Sequence, residues 1–358
     1  MSPDSLLDEV IADDLAAALA ADTAARWRID RGPKRPSVSV TRADGRPIAA
    51  LLVTRRPATL AATIAETWSA GGTDADSALD GLVGDVLAGA ARRGDVAVKW
   101  PLQAPSAAPE RLGFIRMHGP HDPGDGTEPV AGYVKWLRPV EHRELSHYAQ
   151  TSSFTCGAVT AILALGLRGS QGFAEAGDNR DRELDFWRRA SNYPSCEPIG
   201  LAVALRESLD DALGTAPVEV FLDTEEPVLL ESYTEAFDRS FRQELQANSL
   251  GKALRSDIPV RRERVTVDEI ATRVRAGEVA LLLIDLEPMT GFSVPHWVLA
   301  HGAADGVILI DDPWISAKRG ETWVDAHLLP IATGDLDGML AWGPDGYRGV
   351  VFISVPPR

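Results

Sequence analysis

Four short apolar segments close this 358-residue chain: Val279-Ala-Leu-Leu-Leu-Ile, His296-Trp-Val-Leu-Ala-His, Val307-Ile-Leu-Ile and Val350-Val-Phe-Ile-Ser-Val. Their length and content read as strands. Helical segments precede them at 155–167, 181–191, 199–213, 228–247 and 267–275, with one strand at Val218-Glu-Val-Phe-Leu. Helices first and an antiparallel sheet after is an α+β pattern.

At about 150 residues per domain, the length allows two domains. Hydrophobic residues make up 45% and charged residues 25%, which excludes disorder for the bulk of the chain. No apolar run approaches the roughly eighteen residues of a membrane span, so no membrane association is expected. The acidic N-terminus has no positive region ahead of an apolar stretch, so a cytoplasmic protein is expected. The net charge of −16 argues against nucleic acid as a partner, because phosphate binding needs a basic face. Residues 1–140 carry 18 acids and 16 bases, net −2, and residues 141–358 carry 34 and 20, net −14. An acidic second half suits a peptide or cationic substrate better than a polyanion.

The first 138 residues read as an α/β layer. A helix is expected over 5–25, strands at Ser37-Val-Ser-Val-Thr and Ile48–Thr54 around an Asp44-Gly45 turn, and a helix over 60–68. A long helix over 76–93 follows, capped by Gly94, then a strand at Val96-Ala-Val-Lys-Trp, a short helix over 107–111 and a strand at Tyr133-Val-Lys-Trp-Leu. The helix ending Ala91-Arg-Arg-Gly-Asp-Val-Ala-Val and the turn Glu110-Arg-Leu-Gly-Phe resemble the C-terminal part of GNAT-type acetyltransferases. The corresponding phosphate loop would be Trp68-Ser-Ala-Gly-Gly-Thr-Asp-Ala-Asp. Its acids stand where phosphate needs amides and bases, so a degenerate, non-catalytic domain without acetyl-CoA is expected. Pro139–Glu144 reads as the linker, giving domains 1–138 and 139–358.

The chemistry is concentrated in the second half. In Gln150-Thr-Ser-Ser-Phe-Thr-Cys-Gly-Ala-Val-Thr-Ala-Ile, Cys156 opens a helix, where the positive end of the helix dipole favours a thiolate. Gly157 lets backbone and substrate approach closely. The Gln150 amide and the Cys156 backbone N–H are candidate donors to an oxyanion. A nucleophilic cysteine needs a base. His296 starts one strand, and after the Ala303-Ala-Asp-Gly306 turn the next ends in Asp311-Asp312-Pro313. Pairing across that turn brings His296 and either Asp311 or Asp312 to one open end, where a carboxylate would orient the imidazole. Adjacent strand residues face opposite sides, so only one of the two aspartates meets His296.

The Gln-x5-Cys-Gly helix start, the His at a strand start and the Asp-Pro sixteen residues later resemble papain-like cysteine peptidases, and most closely the bacteriocin-processing, double-glycine-leader peptidases. The resemblance covers roughly 140–358. It implies a nucleophile helix packed on an antiparallel sheet, with Cys156 as nucleophile, His296 as base, Asp312 as orienter and Gln150 as oxyanion donor. It also implies a peptide or amide substrate, such as a precursor peptide. The 140-residue interval from Cys156 to His296 is long for that family, and the extra segment 169–263 is expected to cap or wall the cleft. The same triad would serve a transpeptidase or acyltransferase, and a catalytically idle peptide-binding module is the reading from another class.

No cofactor and no metal are expected. His142 and His147, with Glu141 and Glu144, lack a His-Glu-x-x-His arrangement and read as solvated linker residues. Two cysteines exclude a disulfide framework. Cys196 reads as a loop thiol, His301 as structural, Trp297 and Trp314 as core or cleft-wall residues, and Asp181-Arg-Glu-Leu-Asp-Phe-Trp-Arg-Arg as a charged surface helix with one apolar edge.

Overall fold

The computed structural model describes residues 11–121, 130–175, 177–190, 194–209 and 217–356. The ends of the expected helices at 5–10, Ser191 and 210–213 lie outside them. The chain forms two compact units. One takes the described residues of Met1–Gly119 and Gly126–Pro139 with Ser316–Asp325; the other takes those of Pro120–Asp125, Val140–Ile315 and Ala326–Arg358.

The first unit is a six-stranded sheet in the order β1-β2-β3-β4-β6-β5. Helices α1 (Asp13–Ala18) and α2 (Ala21–Trp27) precede β1 (Ser37–Ala43), β2 (Arg46–Thr54) and β3 (Ala61–Ser69). Then come α3 (Thr73–Arg93), β4 (Ala97–Leu102), α4 (Ala108–Arg111), β5 (Ile115–Arg116) and β6 (Ala131–Trp136). The β1–β2 turn uses Asp44 and Gly45 with φ of 49° and 76°, the left-handed pair a tight hairpin requires. Side-chain alternation along β2 divides the core. Ala49, Leu51 and Val53 meet Leu82, Val83 and Ala90 of α3, whereas Ala50 and Leu52 meet Leu15 and Trp27 of α1 and α2.

Two expectations fail in this unit. The alanine-rich stretch 60–68 is a strand, pairing antiparallel with β2 and parallel with β4. Thr63, Ile64 and Thr67 suit a pleated surface, and two neighbouring strands outweigh the helix preference of alanine. The N-terminal helix is two helices, because Leu19 and Ala20 are extended, with ψ of 144° and 152°.

The second unit has an eight-stranded sheet, ordered β13-β12-β11-β10-β14-β8-β9 with β7 added beside β11. Its strands are β7 (Glu141–His142), β8 (Val218–Leu222), β9 (Val260–Arg261), β10 (Glu278–Asp285), β11 (Pro295–Ala304), β12 (Val307–Asp311), β13 (Leu329–Ala332) and β14 (Gly349–Ser354). Every pairing is antiparallel except β8 with β9. The longer helices are α5 (Cys156–Leu167), α6 (Asn179–Ala190), α7 (Pro198–Glu207), α8 (Ala236–Arg255) and α9 (Val267–Arg275). Helices α5 and α7 bury their apolar faces in one core with Leu281, Leu283, Trp297, Leu299, Val351 and Ile353 of the central strands. This is the expected α+β arrangement, with the helix that begins at Cys156 packed on an antiparallel sheet.

In the segment 169–263, expected to cap or wall a cleft, β8 and β9 extend the sheet, and α7 joins the main core. The expected helix at 228–247 starts only at Ala236, because Leu229 takes a left-handed φ of 57° and Val228, Leu229 and Leu230 are buried as an irregular segment.

Ser316–Asp325 is tied into the first unit by buried charge. Glu321 Oε1 lies 2.6 Å from Lys34 Nζ and 3.0 Å from Arg56 Nη2, and Asp325 lies 3.5 Å from Lys34. Trp323 Nε1 donates to Val130 O at 3.1 Å. Burial raises the Glu321 carboxyl, but Arg56 and Lys34 outweigh it and hold it below its ordinary range. Glu321→Ala leaves two buried cations without this carboxylate, and the expected cost is about 3–5 kcal/mol in urea unfolding. Because the Glu321 pKa is depressed, its contribution is complete above about pH 5 and fades as pH falls through the folded value. The gap between wild type and Glu321→Ala should therefore narrow toward pH 3.

Candidate active site

Cys156 is the first residue of α5 and only 7% exposed. The chain before it is fixed from α6. The Glu183 carboxylate, fully buried, accepts Tyr148 Oη at 3.1 Å, Thr151 N at 2.9 Å and Thr151 Oγ1 at 2.8 Å, and it also bonds Thr155 Oγ1. Thr155 Oγ1 also lies 2.8 Å from Ser152 O. The charged surface helix of the sequence reading thus points one acid inward. The available signal was the i, i+3, i+7 spacing of Glu183, Phe186 and Ala190, all of which are buried.

Helix α5 is locked to β11 at its first turn. Thr160 Oγ1 lies 2.8 Å from Cys156 O and 3.2 Å from Trp297 O. A Cβ on Gly157 would stand 3.0 Å from Cys196 Cβ and 3.1 Å from Trp297 Cδ1, so glycine here permits close helix–strand packing. Trp297 is a core residue, and its Nε1 donates to Cys196 O at 3.0 Å. Cys196 is buried, and its thiol is pushed up by burial and by the neighbouring Cys156 and Glu197 charges, so it is a poor nucleophile. Glu197, raised by burial to about 7, caps α7 by accepting Ile199 N and Gly200 N.

His296 is the second residue of β11, and Asp312 follows the end of β12. His296 Nε2 lies 2.7 Å from Asp312 Oδ1, which also accepts Trp314 N at 2.8 Å. Burial disfavours the His296 imidazolium. The charges of Asp312 and Cys156, and the hydrogen bonds to both, outweigh it and raise the pKa to about 10. With Nε2 engaged by Asp312, Nδ1 is the nitrogen left for the thiol. Gln150 sits beside this group: its N donates to Pro313 O at 2.9 Å and its Nε2 to Ser152 O at 2.8 Å, leaving one amide hydrogen uncommitted among the described residues.

Asp311 faces elsewhere. Its Oδ1 lies 2.5 Å from His327 Nδ1 and accepts Leu328 N at 3.1 Å, and its Oδ2 lies 3.2 Å from His147 Nδ1. Burial opposes its ionisation, yet the two histidines hold it well below the ordinary carboxylate range. His147 is fully buried, so it is not the solvated linker residue expected from its sequence neighbours. Glu141 and His142 pair with β11 instead of forming a free linker. His301 bonds Arg143 O through Nδ1 at 2.8 Å, and burial lowers its pKa to about 4.

The geometry gives two expected outcomes. Glu183→Ala removes the acceptor shared by Tyr148, Thr151 and Thr155, and urea unfolding should show a loss of at least about 2 kcal/mol. His296 has a raised folded pKa, so its stabilising contribution is complete below about pH 6.5 and is lost as pH rises through about 10. The difference in Tm between wild type and His296→Gln should shrink between pH 7 and pH 10.

Two solved structures are similar to parts of this chain. One is aminoglycoside 6'-acetyltransferase type Ii, at 13% identity and a TM-score of 0.30, covering 38% of this chain and 94% of that one. The other is the aminoglycoside 6'-N-acetyltransferase from Enterococcus faecium, at 11% identity and a TM-score of 0.29, covering 39% and 96%. No curated protein matches the chain. Residues 145–354, which include Cys156, His296 and both aspartates, match the Peptidase_C39 like family, and the chain belongs to that family.

Proposed function

We propose that the second unit is a cysteine peptidase or amide hydrolase in which Cys156, His296 and Asp312 act as a triad. The observation that carries the reading is the His296 ring, held at Nε2 by Asp312 at 2.7 Å with the charge of Cys156, the first residue of a buried helix, acting on it. The Cys156 sulfur attacks the substrate carbonyl, and the carbonyl π electrons move onto oxygen. The Cys156 N–H and the uncommitted Gln150 amide hydrogen stabilise that oxyanion. Collapse breaks the C–N bond, and the His296 imidazolium protonates the leaving amine. Neutral His296 then takes a proton from water as it attacks the acyl-enzyme, releasing acid and sulfur. Asp312 holds the ring and stabilises its cationic form. The substrate is a peptide or amide, and the net charge of −14 over residues 141–358 favours a basic one.

Iodoacetamide labelling with mass-spectrometric mapping tests the pair without a substrate. At pH 7 wild-type Cys156 should label at least tenfold faster than in His296→Ala, and Cys196 should stay unlabelled in the folded protein. Equal rates for Cys156 in the two proteins would overturn the triad and leave an idle binding module.

A further inference from the structure

Asp311, the chain neighbour of Asp312, belongs to a second cluster that the hydrolase reading does not use. His147, Asp311 and His327 each offer one ligand atom, and these atoms lie within 4.8 Å of one another. The side chains of the three residues are 0%, 0% and 1% exposed. Both imidazoles turn the same atom, Nδ1, toward one carboxylate, at 3.2 Å from Oδ2 and 2.5 Å from Oδ1. For His147 that contact is the ring's only hydrogen bond among the described residues, because its buried Nε2 has no partner.

A fourth group belongs to the same region. His301 is the extra residue of a bulge in β11, between Ala300 and Gly302, and Leu299 pairs with Asp311. His301 stands close enough to the cluster for the charges of Asp311 and His327 to act on its ring. Its Nδ1–H is committed to Arg143 O at 2.8 Å, which leaves Nε2 as the lone-pair nitrogen, and that atom is buried without a partner. A backbone carbonyl that fixes the tautomer in this way is the usual outer support of a metal-ligating histidine.

The structure assigns to His147, Asp311 and His327, with His301 Nε2 adjacent, a structural site for a divalent ion of the zinc class. Two imidazole nitrogens and one carboxylate oxygen suit a borderline ion rather than calcium or magnesium, which take oxygen sets. Ligands of a tetrahedral ion at about 2.0–2.2 Å stand roughly 3.3–3.6 Å apart, so the His147–Asp311 pair at 3.2 Å needs little movement and the His327–Asp311 pair at 2.5 Å must open to admit the ion. On binding, each Nδ1 gives up its hydrogen and the ring takes the Nε2–H tautomer. Full burial makes the ion structural rather than catalytic. It would clamp the chain before α5, the end of β12 and the segment leading into β13.

The test needs no substrate, so it stands apart from the hydrolase reading. Metal content is measured by inductively coupled plasma mass spectrometry on the full chain purified without chelator. Chelator-stripped protein is then titrated with zinc or cobalt. We expect about one ion per chain, a Tm rise of several degrees on zinc addition, and visible d–d bands of tetrahedral cobalt. His327→Gln and Asp311→Asn should lose the bands and the Tm rise, whereas Cys156→Ala should keep both. Loss of binding in Cys156→Ala would place the ion on the thiol and overturn the assignment, as would unchanged uptake in His327→Gln. Should those variants fail to fold, the wild-type and Cys156→Ala proteins decide alone: no co-purified ion and no tetrahedral cobalt bands at saturation overturn it.

Discussion

The close approach of α5 to β11 is the constraint on which the rest of the second unit depends. Gly157 leaves room for the Trp297 ring and Cys196, which a Cβ here would crowd at 3.0–3.1 Å, and the Thr160 hydroxyl spans from Cys156 O to Trp297 O. A helix residue and a strand residue far apart in sequence are thereby held at a fixed separation. The chain order does the remainder: Cys156 precedes Gly157, and His296 precedes Trp297. Packing of one glycine against one tryptophan therefore sets where sulfur and imidazole stand. Catalytic geometry needs such support, because a shift of an ångström is expensive in rate.

Polar atoms are treated with the same economy. A buried carboxylate must be met by donors or it costs stability. Glu183 gathers the hydroxyls and amide of the loop before Cys156, Asp312 gathers His296 and the Trp314 amide, and Asp311 gathers two histidines and the Leu328 amide. The neighbouring aspartates divide two tasks because β12 ends between them and their side chains leave in different directions. Asp312 holds one ring and Asp311 two.

Much of this was legible in the chain. The Gln150, Cys156, His296 and Asp312 pattern was visible because chemistry needs particular residue types at particular element starts. The α+β order was visible because apolar strands are short and helices periodic. Glu183 and His147 were not, since a charged or imidazole side chain amid other polar residues reads as solvated until the opposing surface is known. The strand at 61–69 was missed for a related reason: alanine is a good helix former, and only β2 and β4 alongside reveal that the backbone is needed in a ladder. The short strands β9 and β13 carry too few residues to leave a period.

The excursion Ser316–Asp325 has a consequence for how the molecule comes into being. Glu321 and Trp323 complete the buried polar and apolar contacts of the first unit, yet they are made after Asp312. On a ribosome that builds from the N-terminus, the unit begun first lacks these contacts until residue 325 has been translated. Maturation of the two units is therefore yoked in time, and a gene cut at residue 139 would release a first half still missing a piece of its own interior.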